Sequence, residues 1–134
     1  MKAKERKPKI KLKILKEDTG YTATGQWKNR SLVTCGDSWE ELQTMIVEML
    51  NLTFEDLGYT YTIEEVQLEY ELQTFFEFFK VINAKALSER IGMNQSLLAQ
   101  YIKGIKKPSP SQAQRILTGV QKVGKELAAM RFLF

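Results

Sequence analysis

The chain has 134 residues, 43% hydrophobic and 27% charged, with a net charge of +4, the composition of an ordinary globular protein of one domain or two small ones. It has no histidine and a single cysteine, Cys35; this removes histidine acid–base chemistry, Ser–His and Cys–His nucleophiles, the usual zinc sites and any internal disulfide. No run of about twenty apolar residues marks a membrane span, the basic N-terminus lacks the apolar core of a signal peptide, and a lone thiol fits a reducing compartment, so a cytoplasmic protein without a membrane partner is expected.

The charge is unevenly spread. Residues 1–16 carry eight Lys/Arg and one Glu, net +7. Residues 17–72 carry two Lys/Arg and twelve Asp/Glu, net −10, and residues 73–134 carry ten Lys/Arg and three Glu, net +7. A basic C-terminal half suits nucleic acid, and an acidic middle suits a basic protein or is simply a solvated surface.

Residues 1–8 read as a basic tail. After Pro8, Ile10, Leu12 and Ile14 alternate with lysines, the period of a strand with one buried face. Glu17-Asp18-Thr19-Gly20 is a turn signal. Tyr21 to Trp27 reads as a second strand, Lys28-Asn29-Arg30 as a turn, and Ser31 to Cys35 as a short third strand of an antiparallel meander. Ser38 and Glu41 form a capping-box signature. Trp39, Leu42, Ile46, Met49, Leu50, Phe54 and Leu57 then keep helical spacing as far as Gly58. Tyr59 to Glu64 is a connection of unfixed form, and Glu65 to Glu71 alternates as a fourth strand. The expected first domain, 9–71, is a small β-β-β-α-β α+β unit.

Leu72 to Ile82 is expected as a helix opening an all-α second domain, 72–134. Phe75, Phe76, Phe78 and Phe79 cannot all face one small core, so packing is shared between core and another surface. Asn83 caps a helix bearing Ala86, Leu87 and Ile91. Gly92 ends it, Asn94 caps a second helix with Leu98 and Ile102 inward, and Gly104 stops that. Gln95, Ser96 and Gln100 lie on its other faces; Asn and Gln can pair two-point with adenine edges. Lys85, Lys103, Lys106 and Lys107 can neutralise phosphates. A plain helical hairpin with a solvated polar face has the same periodicity. Ser111 to Phe134 is expected as one helix, with Gly119 and Gly124 weakening it by roughly 1 kcal/mol each and an apolar end that should dock on the body or on a second subunit.

The segment Ala86-Leu87-Ser88-Glu89-Arg90-Ile91-Gly92, with the close Gly104-Ile105-Lys106-Lys107-Pro108-Ser109, resembles the Cro-type (XRE) helix-turn-helix family. That resemblance implies a homodimer or higher homo-oligomer on double-stranded operator DNA. It implies base-edge contacts from Asn94, Gln95, Ser96 and Gln100 and phosphate contacts from Lys85, Lys103, Lys106 and Lys107. Gly20-Tyr21-Thr22-Ala23 and Thr34-Cys35-Gly36-Asp37-Ser38-Trp39-Glu40-Glu41-Leu42 resemble the N-terminal domain of HicB antitoxins, a partial RNase H-like fold, although the usual Pro-Gly before the third strand is replaced by Lys28-Asn29-Arg30-Ser31. The joint implication is an antitoxin of a HicA/HicB-like type II toxin–antitoxin system. It would neutralise a small basic mRNA-cleaving HicA-like toxin with its first domain and repress its own operon with the second. The alternative is a stand-alone helix-turn-helix repressor whose first domain dimerises or senses a ligand. A metal nuclease needs several converging carboxylates, and the strand interiors offer only Glu69. No catalytic residue, metal or cofactor is therefore expected.

Overall fold

Lys9, Lys11 and Lys13 are exposed while Ile10, Leu12 and Ile14 are buried. The two-residue period of the sequence is thus the period of the pleat. The computed structural model describes residues 6–134, so most of the basic tail lies outside the described residues. The chain is mixed α+β, a four-stranded sheet followed by helices: β1 (Ile10–Lys16), β2 (Tyr21–Trp27), β3 (Arg30–Gly36), α1 (Trp39–Thr53), β4 (Val66–Tyr70), α2 (Leu72–Phe78), α3 (Ala84–Ile91), α4 (Gln95–Ile102) and α5 (Pro110–Ala129). It divides into two compact units, Met1–Thr74 and Phe75–Phe134.

In the first unit the sheet order is β3-β2-β1-β4. β1, β2 and β3 form antiparallel neighbours. β4 lies parallel to β1, with Ile10 opposite Val66 and Ile14 opposite Tyr70. A parallel return needs a crossover, and α1 with the connection after it supplies one. Leu42, Ile46 and Leu50 of α1, with Phe54 just beyond it, are fully buried. Ser38 Oγ accepts from the Glu41 amide at 3.1 Å, so one half of the expected capping box is in place. Gly36 lets the helix start close to β3: a Cβ there would lie 2.7 Å from the Leu42 nitrogen.

Several boundaries differ from expectation, each for a visible reason. Arg30 is not a turn residue but the first residue of β3, opposite Trp27, across a two-residue Lys28-Asn29 turn. Its guanidinium pairs with Asp56 at 2.9 and 2.8 Å and donates to the Thr53 carbonyl. That draws the chain out of the α-helix at Thr53, and a tighter 3-10 turn over Glu55–Leu57 runs to Gly58, whose φ of 75° ends it. The connection left open in sequence centres on Tyr61. Its amide donates to Asn51 Oδ1 at 2.7 Å and its buried hydroxyl to the Pro8 carbonyl at 2.7 Å. Trp27, Phe54 and Tyr61 pack in series, Trp27 edge-on to Phe54 and Phe54 tilted on Tyr61, with centroids 5.2 and 5.5 Å apart.

The helix expected to reach Ile82 ends at Phe78. Val81 and Ile82 are β-branched and poor helix formers. The chain must also become extended at Asn83 (φ −80°, ψ 109°) to cap α3. Of the four phenylalanines only Phe76 is buried; Phe75, Phe78 and Phe79 are half-buried. Phe75 stands edge-on to Phe76 at 5.2 Å and tilted on Phe79 at 5.0 Å.

The helix expected to run to Phe134 stops at Ala129, and Met130 is extended (φ −75°, ψ 145°). Arg131 Nη1 donates to the Met130 carbonyl at 2.8 Å and lies 3.4 Å from that of Ala128. It thus reaches back to carbonyls at the end of the helix. Phe132, Leu133 and Phe134 are exposed and do not pack on the body of the chain. No helix of the described residues is long and apolar enough to cross a membrane.

Candidate nucleic-acid interface

α3 and α4 are short, and their ends are defined by backbone and caps. Asn83 Oδ1 accepts from the Ala86 amide at 3.0 Å. At the far end Gly92 adopts φ 65°, a left-handed conformation that costs glycine little, its amide donating to Glu89 and that of Met93 to Ser88. This pair of bonds is a Schellman ending. Asn94 Oδ1 then accepts from the amides of Ser96 (2.8 Å) and Leu97 (3.2 Å), capping α4. α4 closes with a second Schellman ending: Gly104 donates to Tyr101, and Ile105 to Gln100. Leu87, Met93, Leu98, Tyr101 and Ile116 are buried in the core of the second unit.

α5 packs against α3 and the turn that follows it. Arg115 Nη2 donates to the Gly92 carbonyl at 2.8 Å, fixing the α3–α4 turn. Arg90 pairs with Glu126. Gly119 faces α3 so closely that a Cβ there would stand 2.3 Å from Ile91 Cγ2. The two glycines of α5 therefore differ: Gly119 permits the helix contact, whereas a Cβ at Gly124 would meet nothing within 4 Å.

With Leu98 and Tyr101 inward, the 100° step of an α-helix turns the opposite side of α4 outward. Ser96 and Lys103 are exposed there beside half-buried Ala99, and Gln95, the first residue of the helix, is exposed at the edge of that side. Lys106 and Lys107 in the following loop, and Lys85 on α3, are also exposed. Asn94 is engaged through its carbonyl oxygen as a cap, so only its amide nitrogen is left to offer to a base. Gln100 is half-buried, its Oε1 inside and without a hydrogen-bond partner among the described residues. Of the four expected base readers, Gln95 and Ser96 are thus the fully presented ones.

Arg90, Arg115 and Lys122 line a shallow groove between α3 and α5, with Ser111, Gln114 and Thr118. Sequence reading assigned none of them. The seven-residue spacing of Arg115 and Lys122, two turns apart on one helix face, was the available signal.

The charge of the first unit is segregated. Glu40, Glu41, Glu48, Glu55 and Glu64 are exposed on α1 and the segment that follows. Lys11 and Lys13 of β1 project from the opposite face of the sheet, where Lys11 pairs with Glu69 at 2.7 Å. The Arg30 hydrogen bonds hold the Asp56 carboxyl below its ordinary range. Lys7, and then the Thr62 amide, do the same for Glu65. Burial pushes Tyr70, edge-on to Trp39 at 5.8 Å, up to about 12. Among the described residues no three His, Cys, Asp or Glu side chains converge as a metal site.

No family model, curated protein or solved structure matches the chain. The functional reading therefore rests on the residues and their geometry.

Proposed function

We propose that the chain is the antitoxin of a HicA/HicB-like type II toxin–antitoxin pair, and that it also represses its own operon through a helix-turn-helix. The exposed side of α4, bearing Gln95, Ser96 and Lys103, is the observation that carries the DNA half. A short capped helix with amide and hydroxyl side chains outward suits base edges in the major groove. Lys85, Lys106 and Lys107 are exposed and form no ion pair among the described residues, which suits them to flanking phosphates. Two copies are needed to read half-sites about 34 Å apart. The acidic side of the first unit supports the toxin half, because clustered carboxylates attract an RNA-binding protein and compete with phosphate.

The test is co-expression of the full chain with the open reading frame beside its gene, followed by binding of the purified chain to its own upstream DNA. A small basic protein that co-purifies, together with salt-dependent sequence-specific DNA binding, is the expected result. DNA binding without a co-purifying partner would favour a stand-alone repressor. Loss of both would refute the reading. Gln95→Ala should weaken specific binding by roughly 1–3 kcal/mol and relax the preference at one base pair; equal weakening on every sequence would remove Gln95 as a base reader. Lys107→Ala should lower the slope of log K against log salt by about one unit, and an unchanged slope would exclude that phosphate contact.

A further inference from the structure

The groove between α3 and α5 gathers cations that the fold does not neutralise. Ser111, Arg115, Thr118 and Lys122 recur at steps of four, three and four residues, so they share one side of α5. Arg90 lines the groove from α3; its volume is about 460 Å³, and no carboxylate lines it. Of the three cations only Arg90 has a carboxylate partner, Glu126. Arg115 donates to the neutral Gly92 carbonyl, which leaves its charge whole and most of its five donors available. Lys122 is exposed and forms no ion pair among the described residues. Thr118 Oγ1 accepts from Gln114 Nε2 at 3.2 Å, so its own hydrogen is left to donate elsewhere. At the Ser111 end the groove reaches the first turn of α5, where the helix dipole also favours an anion.

We infer that this groove binds the phosphate groups of a free small molecule. Two uncompensated positive charges, with hydroxyl donors between them, call for an anion that carries more than one charge and accepts on several sides. A guanidinium meets phosphate oxygens two at a time, and an ammonium meets them as a point charge. Arg115 and Lys122 start about 10 Å apart along the helix, so a diphosphate, charged at both ends, meets both. Operator DNA is not the source. Lys85, the proposed phosphate contact of α3, lies about 140° around that helix from Arg90 by the helical step, so the groove opens on a different side. Occupancy would still be felt at α4, because Arg115 also holds the Gly92 carbonyl at the α3–α4 turn. The site does not depend on α4 reading DNA, and its test uses none.

The experiment is calorimetric titration of the full chain with inorganic pyrophosphate at about 50 mM salt, where screening is modest. Amide shifts of the nitrogen-15-labelled chain locate the site. The expected result is saturable one-to-one binding with a dissociation constant below about 1 mM, and shifts at Ser111, Thr118, Gly119 and Gly92. Lys122→Ala should weaken binding about 10-fold through loss of a charge-assisted contact. Glu126→Gln releases Arg90 from its carboxylate and should tighten binding roughly two- to five-fold, the opposite sign. Both positions are exposed, so the variants keep their fold, which far-UV circular dichroism checks. Lys107→Ala, on the DNA side, should leave pyrophosphate binding unchanged. Titration without saturation by about 20 mM would overturn the inference, as would binding indifferent to Lys122→Ala. Equal weakening by Lys107→Ala, with shifts on α4, would also overturn it and assign the anion to the DNA side.

Discussion

Gly119→Ala tests whether α5 is held against α3 as described. Alanine at a helix-interior glycine normally stabilises by roughly 0.8–1.0 kcal/mol. Here the new methyl would stand 2.3 Å from Ile91 Cγ2, against an ordinary carbon–carbon contact of about 3.5–4.0 Å. Either α5 or the Ile91 side chain must move by more than an ångström, an overpacking that costs typically ~1–3 kcal/mol. The clash outweighs the propensity gain, and a net loss of about 1 kcal/mol is expected, some 4–8 °C in melting temperature for a domain of this size. Ile91→Ala removes the opposing methyl. In that background the sign should reverse, with Gly119→Ala stabilising by about 1 kcal/mol. The assay separates the two units, because both tryptophans, Trp27 and Trp39, belong to the first. Gly119→Ala should shift the far-UV circular dichroism transition and leave the tryptophan emission transition in place. Stabilisation by Gly119→Ala in the native background would refute the close α3–α5 approach.

Asn94→Ala should cost the second unit about 1 kcal/mol through loss of the cap, whereas Asn94→Asp, also a good cap, should unfold in urea like the native chain; equal losses would show that the cap is not what Asn94 contributes. Asp56 and Glu65 both have folded-state pKa values below their ordinary 3.8 and 4.5. Their contribution is therefore present above about pH 4–5 and lost as pH falls through the lowered values. Urea unfolding of the first unit, followed by tryptophan emission, should weaken below pH 4, and Asp56→Asn should flatten part of that dependence. Tyr70 runs the other way: its raised pKa favours the neutral phenol, so its contribution is full below pH 10 and lost as pH rises towards 12. Tyr70→Phe should remove one late step from the alkaline absorbance titration, and an unchanged late step would reassign it.

Local signals were legible in the sequence where one residue type does one physical job. The alternation of Ile10, Leu12 and Ile14 marked a buried strand face, and Asn83, Gly92, Asn94 and Gly104 marked helix ends by capping chemistry. What the sequence did not disclose depends on distant partners. Alternation at Val66 and Leu68 marks a strand but not its neighbour, so the parallel seat beside β1 was not readable. Arg30 looked like turn punctuation because its reasons to be in a strand, Asp56 and Thr53, lie more than twenty residues away. The end of α2 at Phe78 and of α5 at Ala129 were missed for the opposite reason. Apolar periodicity continued, while β-branched residues at 81–82 and a weak C-terminal turn ended the helices. Among the candidate site residues, exposure of Ser96 followed from the inward stripe of α4; that of Gln95, three and seven residues before Leu98 and Ile102, did not, and comes from its place as the first residue of the helix. Nor did the inward Oε1 of Gln100, because the helical step places that residue on the outer side of α4 and only its side-chain conformation turns the oxygen in.

The double Schellman closure of α3 and α4 has an evolutionary consequence. The turn and both helix ends are secured by backbone groups, two asparagine caps and Arg115. Among the described residues the side chains of Gln95, Ser96 and Lys103 make no hydrogen bond or ion pair. Substitutions at these three positions therefore leave the scaffold almost untouched, within the roughly 0.5 kcal/mol typical of free surface sites. A lineage of such chains could change what the α4 face recognises without first gaining spare stability, so recognition can diverge between copies faster than the fold that presents it.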